Sequence, residues 1–166
     1  MAVVEGQLLW SPSEEFANNS NVAKFINWLK DENIVEVADY QSLWQWSVDN
    51  VEIFWASLWD YFEIISDTPY SKVVDSLECG PGRRWFIDSK VNLAEHILSN
   101  ETEYAVALYH ISATRPQAHM QWAEFASRVR ILATEMRLLG LKPGDAGCCP
   151  IPNLPQRVVT MLATIP

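Results

Sequence analysis

Three histidines are the side chains best suited to acid–base chemistry near neutral pH, and they are scattered along the sequence as His96, His110 and His119. Because histidine titrates near neutrality, each is a candidate general acid or base. No serine lies in a G-x-S-x-G motif, and no cysteine has a recognisable acid–base partner in the sequence. His110 lies in an apolar stretch, which favours a packed or strand-edge residue over a catalytic one. These residues by themselves indicate no active site.

The three cysteines, Cys79, Cys148 and Cys149, are the candidates for metal or redox chemistry. Structural zinc sites need ligands at spacings such as C-x₂-C, and the sequence has none. An odd count with one adjacent pair does not make a disulfide framework. We therefore expect reduced thiols and no metal site in this chain.

The segment Gly80-Pro81-Gly82-Arg83-Arg84 is the candidate for binding a phosphate. It lacks the G-x-x-x-x-G-K-[ST] spacing of a phosphate-binding loop and does not follow a strong strand. The pattern is more typical of a turn, with the arginines in surface ion pairs. The adjacent carboxylates Glu14 and Glu15 are interpreted as the first turn of a helix, where the helix dipole stabilises them.

Composition limits the possible functions. The chain has 166 residues, with 12 Lys and Arg against 21 Asp and Glu, a net charge of −9, and 49% hydrophobic residues. Its length is that of one domain, and its composition permits a core. The acidic balance argues against nucleic acid and anionic membranes as partners. No apolar run reaches the roughly 20 residues of a membrane span, and no basic residue precedes the first apolar stretch, so we expect a cytoplasmic protein.

The elements that would position any site begin with helices. Ser11–Glu15, Ser20, Asp39 and Asn50 are predicted helix starts, and Asn33 is a predicted stop. The helix after Asn50 is apolar around most of its circumference, so it should be buried on more than one side. Six of the eight tryptophans lie in the first 60 residues, and their helical spacing predicts that they pack.

The last third of the sequence alternates strands and helices. Residues 66–82 are predicted to form a connecting segment with at most short extended pieces, and residues 92–98 a short helix. Then follow a strand at 104–111, a returning strand at 119–121, a helix at 122–139 ending at Gly140, a strand at 146–151 and a helix capped by Asn153. The predicted fold class is therefore α/β (α+β): a helical N-terminal cap followed by the start of an α/β sheet that is incomplete.

Three stretches, in this order, resemble a known family. The first is DYQSLWQWSVDN at 39–50 with FW at 54–55 and WDYF at 59–62; the second is PGRRWF at 81–86 with VNLAEH at 91–96; the third is WAEF at 122–125, LGLKPGD at 139–145, PNLPQ at 152–156 and MLAT at 161–164. Together they resemble the N-terminal portion of the adenylate-forming acyl-CoA synthetases, and most of all the acetoacetate–CoA ligases. The resemblance divides the chain into a helical N-terminal region, 1–100, and the beginning of the AMP-dependent synthetase α/β domain, 101–166.

The resemblance implies an ATP-dependent acid–thiol ligase of lipid and ketone-body metabolism. Such enzymes join a carboxylate to AMP with loss of pyrophosphate, then transfer the acyl group to coenzyme A. A full-length relative would therefore use a small carboxylic acid, ATP, Mg²⁺ and CoA. The family's Ser/Thr/Gly-rich loop ending in lysine, its ribose-binding acid and its catalytic lysine have no match here. No catalytic, cofactor-binding or metal-binding residue is therefore assigned, and the chain is expected to be inactive alone.

Two departures from the family favour a fragment or a degraded gene product. Residues 146–152 contain Pro150, which removes a backbone donor that a central strand would use, and the chain ends on 164–166 without the usual glycine. Two alternatives remain open. One is a non-catalytic interaction module that associates with itself or with a ligase through unpaired sheet edges. The other is a truncated product without activity.

Overall fold

The computed structural model describes residues 4–78, 80–148 and 150–165. Within them the fold is mixed α/β, with seven helices and two antiparallel two-stranded sheets, as predicted for the class. The chain divides into two compact units. Unit 1 comprises Met1–Glu63 and Tyr70–Ile87, and unit 2 comprises Ile64–Pro69 and Asp88–Pro166. The predicted domain boundary at residue 100 was drawn from resemblance and stays a prediction.

Unit 1 contains four helices: α1 Glu14–Asn18, α2 Asn21–Asp31, α3 Tyr40–Asp49 and α4 Val51–Tyr61. The predicted starts at Ser20 and Asp39 are confirmed, because the Ser20 hydroxyl accepts from the Ala23 amide at 3.2 Å and Asp39 accepts from the Ser42 amide at 2.8 Å. Asn50 occupies the cap position of α4 without a capping hydrogen bond from its side chain. Asn33 follows the end of α2 with a φ of 57°, which confirms the predicted stop.

The core of unit 1 is small and ringed by aromatic side chains. Phe25, Leu29 and Leu43 are buried, and the Phe25 ring lies 5.0 Å from that of Tyr61 and 6.0 Å from that of Trp28. Phe54 closes the same cluster with its ring edge-on to Phe25 at 6.3 Å. Aromatic pairs in such geometries add to the free energy gained from burial.

A short hairpin packs on the other side of α4. Its strands are β1 Lys72–Val74 and β2 Trp85–Ile87, with Val74 paired to Trp85. The Trp59 ring lies 4.4 Å from that of Phe86, and Trp55 lies 5.4 Å from Trp85. Helix α4 therefore contacts neighbours on two sides, as its apolar circumference predicted. Strand β2 lies after the connecting segment predicted at 66–82, and the sequence patterns did not predict it.

Unit 2 contains α5 Leu93–Leu98, β3 Val106–Ser112, β4 Arg115–Gln121, α6 Trp122–Leu138 and α7 Pro155–Ala163. Strands β3 and β4 form an antiparallel hairpin in which Tyr109 pairs with His119 and His110 with Ala118. The predicted strand and long helix are confirmed. The returning strand predicted at 119–121 is also present, but it begins four residues earlier, at Arg115, which pairs with Ser112. Gly140, with a φ of 95°, follows the end of α6 as predicted.

The core of unit 2 lies where α5, the hairpin, α6 and α7 meet. Its buried residues are Ala94, Met120, Phe125, Val129, Val159, Leu162 and Ala163. Leu139, the last residue of the helix predicted at 122–139, is instead the C-cap of α6 and is 81% exposed. It lies at the cap, where the chain has left the helical face that packs on α7.

The strand predicted at 146–151 is wrong for the described part of that segment, since residues 146–148 and 150–151 form no strand. Pro150 lacks the amide that a ladder requires, and no described strand pairs with this segment. The predicted cap of the last helix is also displaced by one residue, because Leu154 rather than Asn153 is the N-cap and Pro155 occupies the first turn.

The tryptophans divide into two groups. Trp28, Trp46, Trp59 and Trp122 are partly buried and contact other rings, as predicted. Trp10, Trp44, Trp55 and Trp85 remain between 38% and 70% exposed. The prediction that the tryptophans pack therefore holds for only part of the set.

Candidate functional site

The arginine pair of the predicted turn lies on the β1–β2 hairpin. The Arg83 guanidinium donates to the carbonyl of Leu77 at 2.8 Å and to the carbonyl of Glu78, and its carbon lies 5.9 Å from the centre of the Trp85 ring. These contacts hold the cation against its own loop. Arg83 therefore stabilises the connection between the two strands rather than reaching outward for an anion.

Arg84 is held by an acidic neighbour, as the surface ion-pair interpretation predicted. Its Nε lies 3.4 Å from the Asp75 Oδ2, and its amide donates to Asp75 Oδ1 at 3.2 Å. Burial raises the pKa of the Asp75 carboxyl, but the hydrogen bonds from Arg84 outweigh it and hold this pKa below its ordinary value. A strand rather than a helix follows the glycines, so the segment is a hairpin connection and not a phosphate-binding loop.

The three histidines are not brought together as a catalytic group. His110 and His119 lie on neighbouring strands, but His119 pairs with Tyr109, the residue before His110. Because successive residues of a strand project to opposite faces, the two imidazoles lie on opposite faces of the hairpin. His96 lies on α5, and its Nδ1 is buried without a hydrogen-bond partner. Among the residues that the structure describes, the histidines therefore form no arrangement of base, orienting group and nucleophile.

Of the cysteines, Cys148 is an exposed free thiol, and Cys79 and Cys149 lie outside the described residues. Across the described ranges, no group of three or more His, Cys, Asp or Glu side chains is placed to hold a metal ion. No described helix is long and apolar enough to cross a membrane.

A concave site does exist in unit 2, and we call it the α6–α7 groove. Its apolar lining consists of Ala133, Met136, Leu141, Pro143, Ala163 and Ile165. It encloses about 350 Å³ between the end of α6, the turn that follows it and the end of α7. This volume lies at the lower end of the range for sites that take up small molecules or side chains of a partner.

The turn that forms one wall of the groove is fixed by local hydrogen bonds. The Asp145 carboxylate accepts from the Lys142 amide at 2.7 Å, and the Asp145 amide donates to the Lys142 carbonyl at 3.1 Å. Gly144 has a φ of 96°, a conformation that favours glycine. The sequence LKPGD, which resembled the family, is therefore the sequence of a rigid turn.

Two cations and the carboxylate of Asp145 line the groove. Arg137 comes from the last turn of α6 and Lys142 from the turn itself. Neither forms an ion pair with another residue in the part of the chain that the structure describes. The groove therefore combines an apolar lining with two cations and one carboxylate. Sequence reasoning missed it, because its walls come from two separate segments, 133–147 and 163–165, whose individual patterns indicate only helix ends and a turn.

Comparisons with known proteins agree with the fold. Residues 40–97 match the family model of the acetyl-coenzyme A synthetase N-terminus. The chain is 32% identical to an acetoacetyl-CoA synthetase of Danio rerio over 163 residues, which are 97% of this chain and 24% of that protein. An acetoacetyl-CoA synthetase of Rhizobium meliloti is 29% identical over 94% of this chain and 24% of its own length. The chain thus spans about a quarter of the curated relatives it matches.

A solved structure gives the same result. Acetoacetyl-CoA synthetase from Streptomyces lividans superposes with a TM-score of 0.80 and 33% identity, over 96% of this chain and 25% of that one. These matches show that the chain is similar to the acyl-CoA synthetases, and that residues 40–97 are similar to their N-terminal portion. Within that class, it is to the acetoacetyl-CoA synthetases that the chain is similar over nearly its whole length.

Proposed function

We propose that this chain serves as the N-terminal portion of an ATP-dependent ligase that converts acetoacetate and coenzyme A to acetoacetyl-CoA. In the proposed reaction the acetoacetate carboxylate attacks the α-phosphate of ATP and displaces pyrophosphate. The thiol of coenzyme A then attacks the acyl carbon, and AMP leaves. The observation that carries the proposal is the similarity to acetoacetyl-CoA synthetases in both sequence and fold over nearly all of the chain.

We further propose that these 166 residues do not catalyse the reaction alone. Adenylation requires the triphosphate and the carboxylate to be held together by preorganised donors. The sequence has no Ser/Thr/Gly-rich loop ending in lysine, and Arg83 and Arg84 are engaged by their own hairpin. The described residues therefore do not fit a triphosphate, and we derive no catalytic step through them.

A chimera tests the proposal. The aligned N-terminal quarter of the Streptomyces lividans acetoacetyl-CoA synthetase is replaced by this chain, and pyrophosphate release is measured with ATP, CoA and acetoacetate. We expect turnover by the chimera that depends on acetoacetate, and none by the purified 166-residue chain. A soluble, folded chimera that is inactive with acetoacetate would contradict the assignment, and turnover by the chain alone would contradict its dependence on a larger protein.

An interaction module is the second candidate function, and the β3–β4 hairpin favours it. Neither β3 nor β4 pairs with a third strand among the described residues, and Tyr109 and Ile111 are each 71% exposed on the same side of β3. Unpaired edges beside exposed apolar side chains favour association with another strand. Light scattering over a range of concentrations tests self-association, and a monomer at every concentration would count against it.

We place the protein in the cytoplasm and in the metabolism of ketone bodies and lipids, as its relationship to acetoacetyl-CoA synthetases suggests. A fluorescent fusion expressed in the source cell tests the location. Uniform cytoplasmic signal is the expected result, and accumulation in a membrane-bound compartment would contradict it.

A further inference from the structure

One face of helix α3 in unit 1 carries apolar side chains that contact water. Tyr40, Trp44 and Val48 recur every four residues, which places them in one row along the helix, and they are 65%, 48% and 52% exposed. Leu43 and Trp46 face the core of the unit instead, where Leu43 is buried and the Trp46 ring lies against another ring. We call the exposed row the α3 ridge. A contiguous exposed apolar row is typical of an interaction surface.

The apolar surface continues beyond the ridge at the start of α3. Tyr40 also lines a groove of about 490 Å³ together with Trp10 and Phe16, whose rings lie 6.3 Å apart with one edge-on to the other. Both of these rings are exposed. The ridge and the groove at its start therefore form one aromatic surface, and removing such a surface from water is favourable.

A polar groove runs beside the α3 ridge and is acidic at both ends. The neighbouring row of the helix, Gln41 and Gln45, lines it together with Asp39 and Asp49. Helix α3 is 10 residues long, so the two carboxylates are separated by about 15 Å of helix axis. Their hydrogen-bond donors are uncharged, because Ser42 donates to Asp39 and Gln45 to Asp49. Both carboxylates therefore keep a negative charge that a partner can pair with.

Acidic residues dominate the sequence around this surface. Residues 31–71 contain nine Asp and Glu and no Lys, Arg or His. On the neighbouring helix α2, Lys30 is paired with Glu36, and Lys24 is exposed but lines neither groove. The surface therefore complements a partner that is both apolar and cationic.

We propose that the α3 ridge and the acidic groove beside it bind a cationic amphipathic helix of a separate protein. A helix fits because a straight row of side chains beside a groove is the surface into which the rows of a second helix pack. Its apolar stripe would lie on Trp44 and Val48, and its lysine or arginine side chains would reach Asp39 and Asp49. The inference goes beyond the proposed ligase function and is tested without ATP, coenzyme A or acetoacetate.

Titration with synthetic peptides tests the proposal on the full 166-residue chain. The probe is a fluorescently labelled peptide of about 14 residues, roughly four helical turns, with leucine at helical spacing and lysine elsewhere. One control peptide has glutamate in place of lysine, and another has the same leucines and lysines in an order that scatters the leucines around the helix. By fluorescence anisotropy, we expect the probe to bind at least roughly tenfold more tightly than either control.

The two control peptides separate the contributions of charge and of the apolar stripe. Equal binding of the scattered peptide would mean that net charge alone attracts the probe. Equal binding of the glutamate peptide would mean that the carboxylates have no role. Either result, or no binding of the probe, would overturn the proposal.

Matched substitutions locate the binding on the surface. Trp44→Ala should weaken binding of the probe at least roughly tenfold, whereas Ile131→Ala, at a residue of α6 that is 61% exposed, should leave it unchanged. Asp49→Asn should weaken it by about twofold to fivefold, whereas Asp31→Asn removes the same charge outside the groove and should change it less. Circular dichroism shows whether each variant is folded. If W44A is not, Val48→Lys replaces it, because lysine favours a helix and repels the probe. Unaltered binding by a folded ridge variant would contradict the proposal.

Two further measurements test the other possible occupants of the surface, a second copy of this chain and the rest of a ligase. Light scattering detects the first, and a dimer that W44A abolishes and the probe does not displace would refute the proposal in favour of self-association. The chimera described above detects the second. Binding of the probe by the folded chimera as tightly as by the chain supports a separate partner. An inactive chimera that binds the probe would refute the proposed function alone, and an active chimera that does not bind it would refute this inference alone.

Discussion

In unit 1 the buried core is enclosed by aromatic rings, whereas in unit 2 the core consists mainly of aliphatic side chains. The Phe25 ring alone contacts three other rings, from Trp28, Phe54 and Tyr61. In unit 2, Val129, Val159 and Leu162 are buried with only Phe125 and Trp122 as aromatic neighbours. Both units contain a hairpin and helices, so the difference lies in the side chains that join them.

The comparison shows two ways to stabilise a small fold. Aromatic side chains bury a large area each, so unit 1 needs few fully buried residues. Aliphatic cores depend on close packing of many smaller groups contributed by distant segments, as where α6 meets α7 in unit 2. Removing one aliphatic side chain should therefore leave a cavity in unit 2, whereas removing one ring from unit 1 should remove several contacts at once.

The largest effect is expected from Leu162→Ala. Leu162 is 1% exposed in the aliphatic core, so the substitution should lower the free energy of unfolding of unit 2 by about 2–5 kcal/mol. Urea unfolding combined with hydrogen exchange would assign the loss to the peptides of α6 and α7. Met161→Ala is the control, since Met161, the neighbour of Leu162, is 50% exposed and its truncation should change the free energy of unfolding little. Equal losses from both substitutions would contradict the proposed core.

The next largest effect on stability is expected from a substitution in the aromatic core of unit 1. Phe25→Leu keeps an apolar side chain but removes three ring contacts, so we expect a loss of about 1–2 kcal/mol, larger than for a volume-conserving change in an aliphatic core. Tryptophan fluorescence during urea unfolding measures it, because Trp28 stacks on Phe25. Phe16→Leu is the control, as Phe16 is 67% exposed and contacts one ring. A loss no larger than that of F16L would contradict a stabilising role for the buried ring of Phe25 and its ring contacts.

Capping should affect the two units alike, which tests whether their difference is confined to the cores. Ser20 caps α2 and Asn92 caps α5, where its Oδ1 accepts from the Glu95 amide at 3.1 Å. Ser20→Ala and Asn92→Ala should each lower the free energy of unfolding by about 0.5–2 kcal/mol. Circular dichroism during thermal unfolding measures both. Ser20→Asn retains a capping oxygen and should restore most of the loss; failure to do so would mean that Ser20 acts through something other than its cap.

The smallest effect concerns pH. The hydrogen bond from Arg130, at 2.5 Å, holds the pKa of Glu101 below its ordinary value of 4.5 in unit 2, and the hydrogen bond from Lys30 likewise lowers the pKa of Glu36 in unit 1. Each pair therefore stabilises its unit fully above the ordinary value and loses this contribution as the pH falls below it. Glu101 is 30% exposed and Glu36 is 74% exposed, so solvent screens the pair in unit 1 more strongly.

Glu101→Gln should therefore flatten the decline in stability of unit 2 between about pH 5 and pH 3 more than Glu36→Gln flattens that of unit 1. Melting temperatures across this range, with exchange to locate the change, measure the difference. Glu135→Gln is the control, because Glu135 forms no ion pair with another described residue. A stronger flattening by E36Q would show that exposure does not decide the size of these effects.

Local patterns sufficed for much of the secondary structure. The starts at Ser20 and Asp39, the short helix near 92–98, the stop at Gly140 and the long helix from Trp122 depend on interactions within one or two turns, and these appear where predicted. The strand at 106–112 and its return were predicted by the same logic, since a tight hairpin pairs segments that are adjacent in sequence. The ordered motifs also identified the acyl-CoA synthetase class, because three stretches in one order carry more information than any single motif.

Only the tertiary structure decided the features that depend on contacts between distant segments. Residues 85–87 form a strand because 72–74 supply a partner. Residues 146–151 would need a partner strand too, and the described residues supply none. The α6–α7 groove likewise exists only because the ends of two helices meet around a fixed turn. The sequence by itself determined the helices and the capped starts at Ser20 and Asp39, since these depend on neighbours one turn away. The cores, the exposed tryptophans and the groove depend on contacts between segments that no local pattern specifies.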